Sequence, residues 1–135
     1  KTNLAESIAR IGATPVFADV DPQMRIAQEE IFGPVLSVIR WKEHSEMIDQ
    51  ANGVAYGLAA GVYTNNLKNA MRTADLLQTG MVWINQYFNL TDGSPFGGFK
   101  ESGIGREYCK ETLDMYTQLK SIVLRQEVPP PSFAV

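Results

Sequence analysis

The sequence holds one cysteine and one histidine in 135 residues, and each scarcity removes a class of chemistry. A single thiol excludes an internal disulfide and fits a reducing compartment, for which the cytoplasm is the first expectation and the mitochondrion the second. His44 and Cys109 lie far apart in the chain, so no spacing suggests a metal centre or a Cys/His nucleophile pair. Positive charge is also scarce. Twelve Lys and Arg against 15 Asp and Glu leave a net charge of -3, without the basic run that neutralises a phosphate backbone, so no nucleic-acid partner is expected. Apolar runs stop after a handful of residues, far short of the ~20 that span a bilayer, and no signal peptide is legible. No membrane is expected either. The chain opens on Lys1 rather than methionine, which points to a piece of a longer protein. What is present is a 44% hydrophobic content, enough for one ordinary domain with a core.

From residue 35 onward, extended and helical patterns alternate. "VLSVIRW" sets Val35, Ser37, Ile39 and Trp41 against Leu36, Val38 and Arg40, and its β-branched residues suit a strand. "HSEMIDQANG" predicts a short helix with Ser45 as N-cap, Glu46 and Asp49 near its positive end, and Asn52-Gly53 as a left-handed stop. "LAAGVYT", residues 58–64, reads as a buried strand, and Asn65-Asn66 can cap the next helix. In that helix, Leu67, Ala70, Met71, Ala74 and Leu77 recur at helical spacing, and Gly80 supplies the terminating turn. "MVWIN", residues 81–85, is another buried strand. Short connections between such units favour parallel strands joined by right-handed crossovers, an α/β fold with an open, mainly parallel sheet and flanking helices. The 18 residues from Gln86 to Gly103 lack an apolar period and predict a functional or disordered loop. A helix over about Arg106–Met115 follows, then the alternating strand "YTQLKSIVLRQ". Three consecutive prolines in "EVPPPSFAV" cannot continue a sheet.

The loop "GSPFGGFKESGIGRE" is rich enough in glycine to invite a phosphate-binding reading, but its spacing fails. Phe99 stands where a P-loop needs lysine, and Tyr108 replaces the third glycine of a dinucleotide fingerprint. A tight-turning loop explains the glycines. Cys109 reads as a small packed residue early in a helix, and His44 as a solvated turn residue. Glu107 suits the start of the last helix, where unsatisfied N–H groups favour a carboxylate. Glu29 and Glu30 admit two readings. They are a solvated pair closing a short turn, or one of them turns inward beside buried Ile31 and Phe32, where it needs hydrogen bonds. An inward carboxylate has two oxygens to accept from the hydroxyls of a vicinal diol such as a ribose.

Together, "EEIFGPV", "YGLAAGVYT", "GMVWIN" and "SPFGGFKESGIGRE" resemble, in order and spacing, the C-terminal part of the NAD(P)-dependent aldehyde dehydrogenase superfamily. The resemblance covers about Pro15 to Gln126 and is closest to the enzymes that oxidise retinal, betaine and simple aldehydes. It implies oxidation of an aldehyde to a carboxylic acid with NAD or NADP. A cysteine thiolate forms the thiohemiacetal, the nicotinamide takes the hydride, and a glutamate activates the water that hydrolyses the thioester. By the same resemblance, Glu30 bonds the nicotinamide ribose and Phe32 packs beside it. Tyr87, Phe88, Leu90 and Phe96 line the aldehyde tunnel. Glu107 is a buried acid in a proton path. The strand from Tyr116 joins a homo-oligomer.

The family's nucleophile, general-base glutamate and dinucleotide-binding domain precede "EEIFGPV" and are not among these residues, and Cys109 does not match the nucleophile's context. The implied organisation is a divergent lead over 1–14, a partial catalytic domain over 15–115, an oligomerisation strand over 116–126 and a Pro-rich tail over 127–135. The expectation is a truncated or rearranged product, inactive alone. A non-catalytic oligomerisation or interaction module is the competing reading, because an edge strand is a template for association.

Overall fold

The computed structural model describes residues 14–127. In chain order the elements are β1 (Val16–Phe17), α1 (Arg25–Gln28), β2 (Leu36–Ser37), α2 (His44–Asn52), β3 (Tyr56–Gly57), β4 (Ala59–Val62), α3 (Leu67–Leu76), β5 (Met81–Ile84), β6 (Phe99–Lys100) and α4 (Lys110–Tyr116). The α/β class stands. β1 pairs with β2 and β4 with β5, both in parallel, while β3 and β6 are antiparallel. Among the described residues these are three two-stranded ladders, not one continuous sheet. The strand expected over 35–41 forms a ladder only at Leu36–Ser37, prolonged by Val38 N–H to Phe17 O (2.8 Å) and Val20 N–H to Val38 O (3.1 Å).

The β4–α3–β5 unit is the best-built part. Asn66 caps α3 by accepting from Asn69 N–H, which satisfies one donor of its first turn. Ala70, Thr73 and Trp83 are buried, as are Val20, Ile48 and the glycines Gly57 and Gly98 among the described residues. The crossover returns the chain to β5 in register, Ala59 opposite Met81 through Val62 opposite Ile84. Gly80 does not end the helix, which stops at Leu76. A Cβ on Gly80 would collide with the carbonyl oxygen of Gly97, so glycine is needed there for close backbone approach.

Local hydrogen bonding also moves the expected ends of α2. Glu43, not Ser45, is the N-cap, and Glu46 reaches back to accept from the N–H groups of Lys42 (2.9 Å) and Glu43 (3.5 Å). These donors hold the Glu46 carboxyl below its ordinary range. Gly53 is not left-handed, having φ -76°. Instead Lys100 Nζ donates to the carbonyls of Asn52 (2.7 Å) and Val54 (3.0 Å), a cation at the negative helix end. The Asn52 side chain donates to Leu76 O and accepts from Gln78 N–H, both at 2.8 Å, and so closes α3 as well.

The last helix starts at Lys110, not Arg106, and includes Tyr116. Residues 117–127 then form no ladder, and Leu119, Ile122, Val123 and Leu124 are exposed. The oligomerisation-strand expectation thus falls on chain that has no strand partner among the described residues. The lead over 1–13 and the prolines of the tail lie outside the described residues. No helix in the described part is long and apolar enough to cross a membrane.

Candidate functional site

The four-residue helix α1 separates the two adjacent carboxylates. Glu29 lies four residues after Arg25 and takes its guanidinium in a bidentate pair, both contacts 2.8 Å, which holds the Glu29 carboxyl below its ordinary range. Glu30 is exposed and has no hydrogen-bond or ion-pair partner among the described residues. Here the expectation of burial fails. Ile31 is exposed and Phe32 is 92% exposed, so neither pulls a carboxylate inward. The chain leaves α1 through an extended Glu29 and a Phe32 at φ +55°, which carries the ring outward. A bulky residue in the left-handed region costs about 1–3 kcal/mol and is uncommon outside functional loops. The distinction between the carboxylates is therefore availability: one is engaged, the other free.

A second cluster grows from the end of β5. Asn85, at φ +56°, exchanges side-chain bonds with the backbone of Thr64 (2.9 and 3.0 Å) and prolongs the β4–β5 pairing by one residue. Trp83 Nε1 donates to Asn89 O at 2.8 Å, which folds the following loop back over the buried indole. Tyr87 meets that indole edge-on at 5.0 Å and Phe88 lies tilted at 6.5 Å. Both rings keep an exposed face, and Leu90 is half-buried.

The glycine-rich loop is more ordered than its composition implies. Phe96 and Glu107 exchange backbone bonds (3.0 and 2.7 Å), and Gly93 N–H donates to Tyr108 O at 2.7 Å. Between these arms, Arg106 Nη1 donates to the carbonyls of Gly98 (3.1 Å) and Gly105 (2.6 Å), and its guanidinium lies 5.4 Å from the centre of the Phe99 ring. A Cβ on Gly97 would strike Gly105 O. The glycines serve backbone contact, as the tight-turn reading expects. Two expectations for Glu107 fail. Its backbone is committed to the Phe96 bridge three residues before α4, so it is no helix cap, and its side chain is exposed rather than buried. Phe96 is half-buried on the same bridge.

Cys109 is the N-cap residue of α4, half-buried, with Sγ 3.8 Å from Thr112 Oγ1. His44 is not a free turn residue: it opens α2 and its Nε2 lies 2.9 Å from Thr73 Oγ1. The Thr73 hydroxyl spends its single proton on Asn69 O (2.8 Å), so the imidazole is the donor in the His44 contact. No group of three or more His, Cys, Asp or Glu side chains among the described residues can hold a metal ion. No hydrogen bond or ring contact joins the Glu30–Phe32 loop to the Trp83 or Phe96–Glu107 cluster. Sequence reasoning missed Arg106 as the loop's organiser and Asn85 as the end of its strand. Both signals were present, an arginine among glycines and an asparagine suited to positive φ.

Parallel strand pairs joined by crossover helices define a segment of an α/β domain. The chain belongs to the aldehyde dehydrogenase family, whose sequence profile matches residues 10–122. It is 50% identical over 107 residues to the mitochondrial aldehyde dehydrogenase of Leishmania tarentolae, covering 79% of this chain and 22% of that protein. It is 48% identical over 110 residues to an aldehyde dehydrogenase of Emericella nidulans, covering 82% of this chain and 22% of the relative. Among solved structures, the NAD+ complex of an aldehyde dehydrogenase from Bacillus cereus superposes with a TM-score of 0.77 and 47% identity, over 83% of this chain and 23% of that one. An indole-3-acetaldehyde dehydrogenase in complex with NAD+ gives 0.76 and 52% identity, over 79% and 22%. The chain thus spans less than a quarter of the length of these relatives.

Proposed function

We propose that these residues form the later part of the catalytic domain of an enzyme that oxidises an aldehyde to a carboxylic acid with NAD(P)+, and that the 135 residues alone do not turn over. The observation that carries this reading is the free Glu30 beside an outward Phe32, with Glu29 occupied by Arg25. When bound, the dinucleotide supplies the hydride acceptor. NAD+ is supported as that cofactor by the complexes of the two solved relatives. The Glu30 carboxyl oxygens would accept hydrogen bonds from the two ribose hydroxyls, and the Phe32 ring would shield that side from water. Phe32 is already held outward, so binding an apolar surface against it needs no backbone rearrangement. Tyr87, Phe88, Leu90 and Phe96 form the walls that select the aldehyde. Glu107, exposed at the loop that carries Phe96, is assigned a place in a proton path.

Glu30 fixes the nicotinamide's position rather than anchoring the dinucleotide, so its loss acts mainly on the hydride step. A charge-assisted bond is worth about 1.5–3 kcal/mol, and Glu30→Gln in an enzyme containing this segment is expected to slow single-turnover hydride transfer by about ten- to hundredfold. An unchanged rate contradicts the assignment. Sustained NADH formation by the purified 135-residue chain with an aldehyde, abolished in Cys109→Ser, contradicts the proposed inactivity.

The exposed apolar residues between Leu119 and Leu124 favour a second reading, association with another subunit through that segment. Sedimentation tests it directly. A strictly monomeric chain, alone and with an intact family member, counts against it.

A further inference from the structure

The four residues of α1 close too few backbone bonds to hold a helix by themselves, and side chains tie it down. The Asp21 carboxylate accepts from Gln23 N–H (2.8 Å) just ahead of the helix, and Gln28 Nε2 reaches back to Pro22 O (2.6 Å). The Ser37 hydroxyl donates to Ile26 O (3.3 Å) and so fastens α1 to the β1–β2 ladder. On this frame one residue holds Glu29 twice. Glu29 N–H donates to Arg25 O (2.8 Å), and its carboxylate takes Nε and Nη2 of the Arg25 guanidinium (both 2.8 Å). Its side chain therefore has one direction, along the flank of α1. With Glu29 extended at φ -104° and ψ 143°, the following side chain leaves on the opposite side of the chain. The direction of Glu30 is tied to Arg25. Without the arginine, two adjacent carboxylates would offer two negative charges to a diol ligand that also carries anionic phosphates. Arg25 cancels one of them.

We propose that Arg25 is a positioning residue for the hydride step: by locking Glu29 against α1 it aims the Glu30 carboxylate, a role that rests on Glu30 being the ribose acceptor. Stability does not explain the pair. The Arg25 and Glu29 side chains are 87% and 55% exposed, and ion pairs so placed add little to a fold. Direction does explain it, because a planar guanidinium making two parallel bonds fixes the orientation of a carboxylate. Lysine, a point charge, attracts Glu29 without that fixed geometry.

The test follows NAD+ binding and single-turnover hydride transfer in the full-length enzyme containing this segment. Arg25→Gln is expected to slow the hydride step about two- to fivefold, with the NAD+ dissociation constant and Tm unchanged, and Arg25→Lys to recover part of the rate. In a Glu30→Gln background, Arg25→Gln should slow the step no further, because it acts through Glu30. An additive loss in that background overturns the proposal. So does a lowered Tm with an unchanged rate, the signature of a merely structural pair. If Glu30→Gln slows the step and Arg25→Gln does not, the positioning role alone fails; if Glu30→Gln has no effect, the ribose assignment fails and the positioning role with it. Should the Arg25 variants not fold, the carboxyl titration of Glu29 in the unaltered 135-residue chain decides. It is expected below the ordinary glutamate range, where the Arg25 bonds hold it, and a titration within that range overturns the pairing on which the role depends.

Discussion

The β4–α3–β5 unit begins at Ala59, 27 positions after Phe32, and the two regions follow different rules. In the first, every element finds its partner within a short stretch: Asn66 caps α3, the crossover closes the parallel ladder, and Trp83 is 5% exposed with its indole N–H bonded. In the second, the chain turns Phe32 out at φ +55° and leaves Glu30 without a partner among the described residues. The first region buries Ala70 and Trp83 while Leu67, Met71 and Leu76 of α3 stay exposed; the second exposes both Ile31 and Phe32, with Phe32 held in the left-handed region.

The largest expected effect breaks the self-contained side. Trp83→Ala removes the anchor of Tyr87, Phe88 and Asn89 and should cost about 3–5 kcal/mol, read by chemical denaturation of the chain. Loss of order in the Tyr87–Phe88 loop should accompany it, and a change below about 1 kcal/mol would mean that the aromatic group is not a structural unit. Next in size, Asn66→Ala should cost about 1 kcal/mol by leaving an N-terminal donor of α3 unpaired. Phe32→Ala should move stability by less than about 0.5 kcal/mol, because the ring contacts solvent. A larger loss would place Phe32 in the chain's own core and erase the contrast between the two regions.

The smallest effect is a pH dependence at the start of α2. The folded-state pKa of Glu46 is lowered by the N–H donors of Lys42 and Glu43, so its contribution is fully present above the unfolded value, about 4.3. It is lost as pH falls through the folded value. Helix content should therefore decline on acidification below about pH 4.3, and Glu46→Gln should flatten that part of the curve. A carboxyl titration of Glu46 at or above the unfolded value would refute the capping role.

How much was legible in advance depended on the reach of the interactions concerned. Leu67, Ala70, Met71 and Ala74 announced α3 by spacing, because a helix closes its bonds four residues away. The start of α2 was misplaced by two residues because the choice between Ser45 and Glu43 as cap depends on which backbone adopts extended geometry. Glu107 was misread for a related reason. Its position before a helix was visible, but its pairing with Phe96 across ten residues of glycine-rich chain was not. For Ile31 and Phe32, hydrophobic character suggested burial, yet burial needs a surface to pack against, and the described residues offer none.

By itself the sequence determined the alternation of strands and helices, the absence of a disulfide and the ordered motifs that mark the family, since these follow from local spacing and residue type. Tertiary structure alone decided which of two neighbouring carboxylates is free. Arg25 lies within reach of Glu29 one helical turn away, and the left-handed Phe32 carries the chain past Glu30 without covering it. It also decided which backbone groups of β4 pair with β5, because the side of a strand that pairs is set by a hydrogen-bond register that no residue type encodes.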